Sequence, residues 1–108
     1  MKRIILACAA GMSTSIVVSK MKAAAEARGL DYYIYAIPEG AIADELEEHG
    51  EDVQAILLGP QVSFMKKAAE KTAAPYQIPV DVVNVRLYGT ANGEKILEHA
   101  LKLANESE

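Results

Sequence analysis

The sequence predicts an α/β fold, with a doubly wound, four-stranded parallel sheet and helices on both of its faces. Short runs of β-branched, aliphatic or aromatic residues alternate four times with longer amphipathic segments. Most of the strand runs are almost continuously apolar, as is typical of strands covered on both faces. Gly or Pro stands at several transitions, where helices end or turns begin. Regular alternation of strands and helices indicates parallel βαβ units, so these observations together favour this architecture.

The first strand and helix set the pattern for the rest of the chain. Residues 3–8 (RIILAC) form a short apolar run that predicts a buried strand. A polar loop follows, and from about Thr14 to Arg28 apolar residues recur at helical spacing until Gly29 provides a stop. The apolar residues of this predicted helix include Ile16, Val17, Met21 and Ala24.

The later elements repeat this rhythm with their own start and stop signals. The strands are predicted at residues 31–37, 53–58 and 80–85, and the helices at about residues 39–48, 61–72 and 92–104. In doubly wound sheets the first strand is usually central, and ligands bind where loops leave the carboxyl ends of the strands. The loop after Cys8 is therefore the first candidate for a site.

Length and composition indicate one domain, spanning residues 1–104, with a frayed polar tail at 105–108. The chain has 108 residues, of which 51% are hydrophobic and 24% charged, enough to form a single core. Its net charge of -4 disfavours binding to nucleic acid or to anionic lipid. The longest apolar run, residues 4–10, is far shorter than the ~20 residues of a membrane span. One unpaired cysteine suits a reducing compartment, so we expect a cytoplasmic protein.

The loop after the first strand carries the residues with chemical potential. Cys8 ends the strand, and Gly11, Ser13, Thr14 and Ser15 lead into the first helix. Backbone N–H groups at a helix N-terminus favour a thiolate and also bind anions such as phosphate. Two interpretations remain open from the residues alone: a nucleophile above a phosphate-binding loop, or a small buried side chain followed by an ordinary helix cap.

Missing residues argue against several known uses of such a loop, among them rapid hydrolysis by a cysteine phosphatase. A cysteine phosphatase needs an arginine six positions after the cysteine, where this chain has Thr14, and a dithiol oxidoreductase needs a second cysteine, where it has Gly11. The glycine-rich motifs of nucleotide and dinucleotide sites do not occur either. What remains is a thiolate that accepts a phosphoryl group and passes it on, which requires no metal and no cofactor.

Three strings of residues resemble one family. These strings are ILACAAGMSTSIVVSKM, AILLGPQVSFM and RLYG, and together they extend the similarity over nearly the whole chain. They are similar to the IIB component of the bacterial phosphoenolpyruvate-dependent sugar phosphotransferase system, in its lactose/cellobiose/chitobiose family. The resemblance implies a fold like that of low-molecular-weight tyrosine phosphatases, without their arginine. It also implies that Cys8 takes a phosphoryl group from a phosphohistidine of IIA and passes it to a sugar in the membrane permease IIC.

The resemblance assigns further residues by position. The loop around the phosphocysteine would be formed by Ala9, Ala10, Gly11, Met12, Ser13, Thr14 and Ser15. The surface that meets the partners would include Met12, Pro60, Gln61 and Tyr88. For these four the alternatives stay open: Met12 in the core, a plain turn at Pro60 and Gln61, and Tyr88 packed over the sheet edge. We expect a monomer that docks transiently, at the membrane only through IIC.

Other conspicuous residues have simpler interpretations. His49 and His99 lie on predicted helices away from Cys8, and we expect both to be solvated. Tyr32, Tyr33 and Tyr35 alternate as expected for packing on an edge strand rather than for a sugar platform.

Two alternative functions compete with the phosphocarrier at this point. One is a regulatory domain that binds phosphate or a phosphoprotein without turnover, and the other is a weak cysteine phosphatase. A β-linked disaccharide such as cellobiose or chitobiose is the expected sugar class, but sugar recognition is expected to belong to the permease.

Overall fold

A computed structural model of the chain describes residues 1–9 and 14–106, with the side chains of Thr14 and Glu106 left aside. Its centre is a four-stranded sheet in the order β2-β1-β3-β4, in which every neighbouring pair is parallel. The strands are β1 (Lys2–Cys8), β2 (Tyr32–Pro38), β3 (Val53–Leu58) and β4 (Val80–Val82). The predicted fold class and the central position of the first strand are both confirmed.

Within residues 1–9 and 14–106, five α-helices and three short 3₁₀ helices surround the sheet. The α-helices are α1 (Thr14–Ala27), α2 (Ile42–His49), α3 (Lys66–Ala73), α4 (Val85–Gly89) and α5 (Gly93–Glu106). The 3₁₀ helices are Glu39–Ala41, Pro60–Met65 and Ala74–Tyr76. Thus, within the described residues, the crossovers from β2 to β3 and from β3 to β4 each open on a 3₁₀ helix and continue as an α-helix.

Alternation along β1 divides the core into two layers. Ile4 and Leu6 face one side, where they pack with residues of α1 and α5, and Ile5 and Ala7 face the other, where they pack with residues of α2 and α3. Each of these four side chains has no solvent-exposed surface. Helices therefore cover both faces of the sheet, as predicted. The strand β1 is packed between these two layers of helices and is paired with β2 on one side and β3 on the other.

The fourth strand is shorter than predicted. It ends at Val82, and Val85, which we placed in the strand, instead begins the short helix α4. The cause is Asn84, whose side-chain Oδ1 accepts hydrogen bonds from the backbone N–H of Arg86 at 2.9 Å and of Leu87 at 3.2 Å. Asn is among the best helix N-caps, and this cap turns the chain out of the sheet.

Three helical predictions also need correction. The segment predicted as one helix over 61–72 is a 3₁₀ helix followed by α3, with Val62 at non-helical angles between them. The closing helix α5 extends to Glu106, so Asn105 belongs to a helix and not to a frayed tail; residues 107–108 lie outside the described residues. Ile16, expected in the core, is 60% exposed, while Val17 and Met21 are buried as predicted.

The prediction that His99 is solvated is wrong. This residue instead connects α5 to the edge strand β4 through a hydrogen bond with Asp81. Its Nε2 lies 2.8 Å from Asp81 Oδ2, and Lys66 Nζ of α3 lies 3.5 Å from Oδ1 of the same carboxylate. Burial opposes ionisation of Asp81, but hydrogen bonds from His99 and from the Val82 N–H, together with the electrostatic effects of His99 and Lys66, hold the pKa of Asp81 below its usual range. Helices on opposite faces are thereby tied to one edge strand.

The tyrosines of β2 pack on the sheet edge, as predicted. Tyr33 and Tyr35 stack on each other with ring centroids 4.7 Å apart, and the Arg3 guanidinium lies 4.8 Å from the Tyr33 ring centre. Burial, followed by a hydrogen bond with Glu45, raises the pKa of Tyr35 to about 12. This cluster lies toward the start of the strands, at the end opposite Cys8.

None of the helices in residues 1–9 and 14–106 is long and apolar enough to cross a lipid bilayer. His49, the other histidine, ends α2 beside the carboxylates of Glu45 and Glu48 and is half-buried.

Candidate functional site

Cys8 lies at the carboxyl end of the central strand. It is the last residue of β1, and its Cα is level with Pro38 at the end of the neighbouring β2. The side chain is 1% exposed, and its Sγ lies 3.9 Å from the carbonyl oxygen of Ile37, a weak hydrogen bond to the β2 backbone. The thiol is therefore positioned by two strands.

The strand order makes this end of β1 the natural place for a ligand. The chain passes from β1 to β2 on one side and later returns to place β3 on the other side of β1. Connections leaving in opposite directions open a crevice at the carboxyl ends of the two strands, which is where open α/β sheets bind their ligands. Cys8 ends one of these strands and Leu58 ends the other.

The predicted phosphate loop is described only at its two ends. Ala9 is an exposed bend, and Thr14 and Ser15 open α1, with Ser15 exposed. Ala10, Gly11, Met12 and Ser13 lie outside the described residues. The first turn of α1 directs backbone N–H groups and the positive end of the helix dipole toward the stretch that follows Cys8.

Gly59 brings the end of β3 very close to Cys8. Its N–H donates to the carbonyl of Ala7 at 2.8 Å, which continues the pairing of β1 and β3 past Leu58. A Cβ at residue 59 would lie 3.6 Å from Cys8 Cβ and 2.5 Å from Oε1 of Gln61. Glycine has no Cβ, so the side chains of Cys8 and Gln61 can both approach the backbone at residue 59.

Gln61 and Tyr88 meet across this edge of the sheet. Gln61 follows β3, Tyr88 lies in α4 after β4, and Nε2 of Gln61 donates to the Tyr88 hydroxyl at 3.3 Å. The Tyr88 ring is half-buried against the core between α1 and α5. The sequence placed these residues at one edge with Cys8, and the structure confirms that placement and adds the contact between them. Pro60 is half-buried at the start of its 3₁₀ helix.

The three arginines of the chain have separate surroundings. Arg3 stacks on tyrosines at the opposite end of the sheet, and Arg28 forms ion pairs with Glu94 at 3.2 Å and Glu98 at 3.6 Å on α5. Arg86 lies on α4, at the same edge as Cys8, and is exposed. The position occupied by an arginine in cysteine phosphatases is Thr14 in this chain.

Three large apolar side chains in the segments after the strands are exposed, which the sequence did not indicate. Ile16 is 60% exposed in the first turn of α1, Phe64 is 78% exposed after β3, and Val85 is 69% exposed after β4. We call these three residues the apolar rim. Each lies in the segment that follows the carboxyl end of a different strand, β1, β3 or β4. Their hydrophobic type suggested core positions, and only their exposure separates them from the core.

Comparison with known proteins identifies the family of this chain. A sequence profile described as "PTS system, Lactose/Cellobiose specific IIB subunit" matches residues 3–99. The chain belongs to this family. The match includes Cys8, Gly59, Gln61 and Tyr88, and the resemblance seen in the sequence is thereby confirmed.

Curated relatives align with the chain over almost their whole length. The oligo-beta-mannoside-specific EIIB component of Bacillus subtilis (strain 168) is 43% identical over 103 residues, covering 95% of this chain and 96% of the relative. The galactose-specific EIIB component of Lactococcus lactis subsp. cremoris (strain MG1363) is 46% identical, with 96% and 97% covered. The cellobiose-specific EIIB component of Lactococcus lactis subsp. lactis (strain IL1403) has the same identity and coverage.

Solved structures of IIB proteins have the same fold. The cellobiose-specific IIB component of Borrelia burgdorferi superposes with a TM-score of 0.78 at 34% identity, covering 99% of this chain and 94% of that one. The lactose-specific IIB domain of Streptococcus pneumoniae superposes with a TM-score of 0.81 at 16% identity, covering 94% and 96%, and supports the fold alone. The low-molecular-weight phosphatase-like fold implied by the sequence is confirmed.

Membership also defines the general activity. IIB components of the phosphotransferase system are phosphotransferases that act in sugar phosphorylation during uptake, together with IIA and IIC partners. This IIB protein contains a single cysteine, Cys8. The sugars named for its relatives differ, so membership of the family does not specify a sugar.

Proposed function

We propose that Cys8 is the phosphoryl carrier of this IIB protein. The observation that carries the proposal is the position of Cys8, which combines the single thiol of the chain with the ligand-binding end of the central strand. The loop after it enters α1, whose N-terminal N–H groups favour an anion. The residues Ala9 to Ser15 would surround the phosphoryl group, and Met12, Pro60, Gln61 and Tyr88 would lie where partners approach.

Two displacement steps would complete one cycle. In the first, the Cys8 sulfur attacks the phosphorus of a phosphohistidine on IIA; a sulfur–phosphorus bond forms, the nitrogen–phosphorus bond breaks, and the thiol proton ends on the imidazole. In the second, a sugar hydroxyl attacks the same phosphorus; the sulfur–phosphorus bond breaks and the hydroxyl proton restores the thiol. Both steps depend chiefly on positioning and charge stabilisation.

The surroundings of the thiol support a carrier over a phosphatase. Cysteine phosphatases clamp the phosphoryl oxygens with a bidentate arginine, and Thr14 occupies that position here. Burial of Cys8 restricts access by water. A carrier needs this protection, because water would hydrolyse the phosphocysteine between the two steps. We expect the protein to be cytoplasmic and to reach the membrane only through IIC. We also expect it to be a monomer. The sugar would be a β-linked disaccharide chosen by IIC.

Covalent phosphate on Cys8 tests the proposal directly. The protein is incubated with IIA that has been phosphorylated on histidine, and its intact mass and peptide masses are measured at mildly alkaline pH, where the ester survives. We expect one added phosphoryl group on the peptide that contains Cys8, and its loss when IIC vesicles and a sugar are added. No covalent phosphate with a demonstrably phosphorylated IIA would contradict the proposal and favour a domain that binds phosphate without turnover.

The apolar rim would form the contact with phosphorylated IIA. Its residues are exposed in the segments that follow three of the strands, and exposed aromatic side chains contribute strongly to protein interfaces. We expect Phe64→Ala to raise the KM for phosphorylated IIA about tenfold, with little change in the maximal rate. Stopped reactions at several IIA concentrations would measure both quantities.

Tyr76→Ala is the matched control for this prediction. Tyr76 is also exposed, at 41%, but it precedes β4 and so lies near the amino ends of the strands, away from Cys8. Its replacement should leave the KM unchanged. Equal KM values for Phe64→Ala and the unmodified protein would remove Phe64 from the interface.

A further inference from the structure

We propose that exposed cations beside the apolar rim attract and orient phosphorylated IIA through an acidic docking surface on that partner. This inference rests on the proposed function of Cys8 and specifies the charge of the surface that the apolar rim would meet. Its starting observation is that each residue of the apolar rim is followed, within four positions, by an exposed lysine or arginine. The pairs are Ile16 with Lys20, Phe64 with Lys67, and Val85 with Arg86. We call Lys20, Lys67 and Arg86 the rim cations.

The rim cations are not neutralised by neighbours on the described part of the chain. Other cations are paired: Lys66 Nζ lies 3.5 Å from a carboxylate oxygen of Asp81, and Arg28 pairs with two glutamates of α5. None of the rim cations forms an ion pair with residues 1–9 or 14–106. The sequence around them also contains no Asp or Glu over residues 9–25, 53–69 and 82–93. Each segment that follows β1, β3 or β4 therefore begins with a long stretch of positive or zero charge.

Close contacts join these three segments to one another. The N–H of Gly59, directly after β3, donates to a carbonyl of β1 at 2.8 Å. Two residues later, Nε2 of Gln61 lies 3.3 Å from the hydroxyl of Tyr88 on α4. After α4, Gly93 packs against the backbone of Lys20 on α1, where a Cβ would lie 2.5 Å from the Lys20 Cβ. The segments that carry the rim cations thus belong to one connected region, which includes the carboxyl end of β1.

The remaining segment after a strand has the opposite charge. Residues 39–48, which follow β2 and form a 3₁₀ helix and α2, contain no lysine or arginine. They contain five acidic residues: Glu39, Asp44, Glu45, Glu47 and Glu48. The net charge of -4 therefore conceals an uneven distribution of charge. An anionic partner is attracted to the segments after β1, β3 and β4 and repelled by the one after β2, so its approach is oriented.

An acidic protein surface suits this region better than a membrane does. Cations beside apolar side chains also occur on proteins that bind anionic lipid, usually along one face of a single amphipathic helix. Here they lie on three separate segments of a chain whose net charge is -4, which an anionic bilayer would repel. Phosphorylated IIA must deliver an anionic phosphoryl group to the protein, and acidic side chains around its docking surface would complement the rim cations.

Salt dependence of the first phosphoryl transfer tests this inference. We would replace Lys20, Lys67 and Arg86 together by glutamine and measure kcat/KM for phosphorylation of Cys8 by phosphorylated IIA. The range would be about 0.02 to 0.5 M NaCl, over which the Debye length falls from roughly 20 to 4 Å. For the unmodified protein we expect kcat/KM to fall steeply as salt rises. The triple variant should be about tenfold slower at low salt and nearly independent of salt.

A second triple variant with the same change in charge is the control. It replaces Lys2, Lys71 and Lys102 by glutamine, all of which are exposed. Lys2 begins β1, and the other two lie near the ends of α3 and α5, the helices that carry the chain away from the carboxyl ends of the strands. We expect kcat/KM to change less than about twofold at low salt and to keep its salt dependence. Urea unfolding midpoints of both variants would verify that each is folded.

The outcomes separate this inference from the proposed function. Equal losses in the two triple variants, or an unchanged salt dependence in the rim variant, would overturn the role of the rim cations while Cys8 remains the carrier. A rim variant that reacts normally with IIA but no longer sediments with phosphatidylglycerol vesicles, as the unmodified protein then does, would also overturn it and assign the rim cations to the membrane surface. If the unmodified protein forms no phosphocysteine, the proposed function fails and this inference falls with it.

Discussion

Replacement of Cys8 by serine is expected to stop sugar phosphorylation. A serine hydroxyl ionises far less readily than a thiol and is a poor nucleophile without a neighbouring base. With IIA, IIC vesicles and a sugar all present, we expect the formation of sugar phosphate to fall at least about 10³-fold, to the background of the reaction without IIB. The measurement is radiolabelled sugar phosphate formed from phosphoenolpyruvate.

The Cys8→Ser protein should fold normally, so a loss of sugar phosphorylation would reflect the missing thiol and not unfolding. Cys8 is 1% exposed and its Sγ lies 3.9 Å from the backbone carbonyl of Ile37, to which a serine hydroxyl can also donate. Its urea unfolding midpoint should stay close to that of the unmodified protein. Sugar phosphorylation retained by Cys8→Ser would rule out a covalent cysteine intermediate and return attention to a phosphate-binding domain without turnover.

Replacement of Gly93 by alanine is expected to destabilise the protein by about 3 kcal/mol. Gly93 is the first residue of α5 and packs directly on the backbone of α1. A Cβ there would clash with the backbone carbon of Lys20 and would lie 2.5 Å from the N atom of Met21. Backbone atoms of a helix cannot move aside singly, so the whole contact between α1 and α5 must open. Urea denaturation would measure the loss.

Gly40→Ala is the control for this prediction. Gly40 has no atom within 4 Å of a Cβ position and lies in a 3₁₀ helix at an ordinary negative φ. Alanine there should be neutral or stabilise by about 0.5 kcal/mol, because it restricts the unfolded chain. A Gly93→Ala protein as stable as the unmodified one would show that α1 and α5 do not pack as closely as described.

Predictions from the sequence succeeded where one short segment carried the signal. The run from Arg3 to Cys8 is apolar throughout, so its strand and its central place could be recognised before any contact was known. Predictions failed where a neighbouring residue or a distant one intervened. Asn84 ended the fourth strand early through its cap, and Asp81 forms a hydrogen bond with His99, 18 residues further along the chain.

The candidate site divides in the same way. The order of residues alone identified Cys8, the polar stretch into α1 and the missing arginine at Thr14, since these features lie within eight positions of one another. It also placed Gln61 and Tyr88 at the edge of Cys8, because parallel strands end on one side of a sheet. Sequence could not give their contact, which joins residues 27 positions apart.

The sequence by itself therefore determined the family, the fold class and the single cysteine that we propose as the nucleophile. Those properties depend on local patterns, which fix which strands are buried and which loop follows Cys8. Tertiary structure alone decided that Gly59 opens a space beside the thiol, that Gln61 fills it, and that Ile16, Phe64 and Val85 stay exposed. Those properties depend on how closely separate crossovers approach, and side-chain type and spacing along the chain do not set such distances.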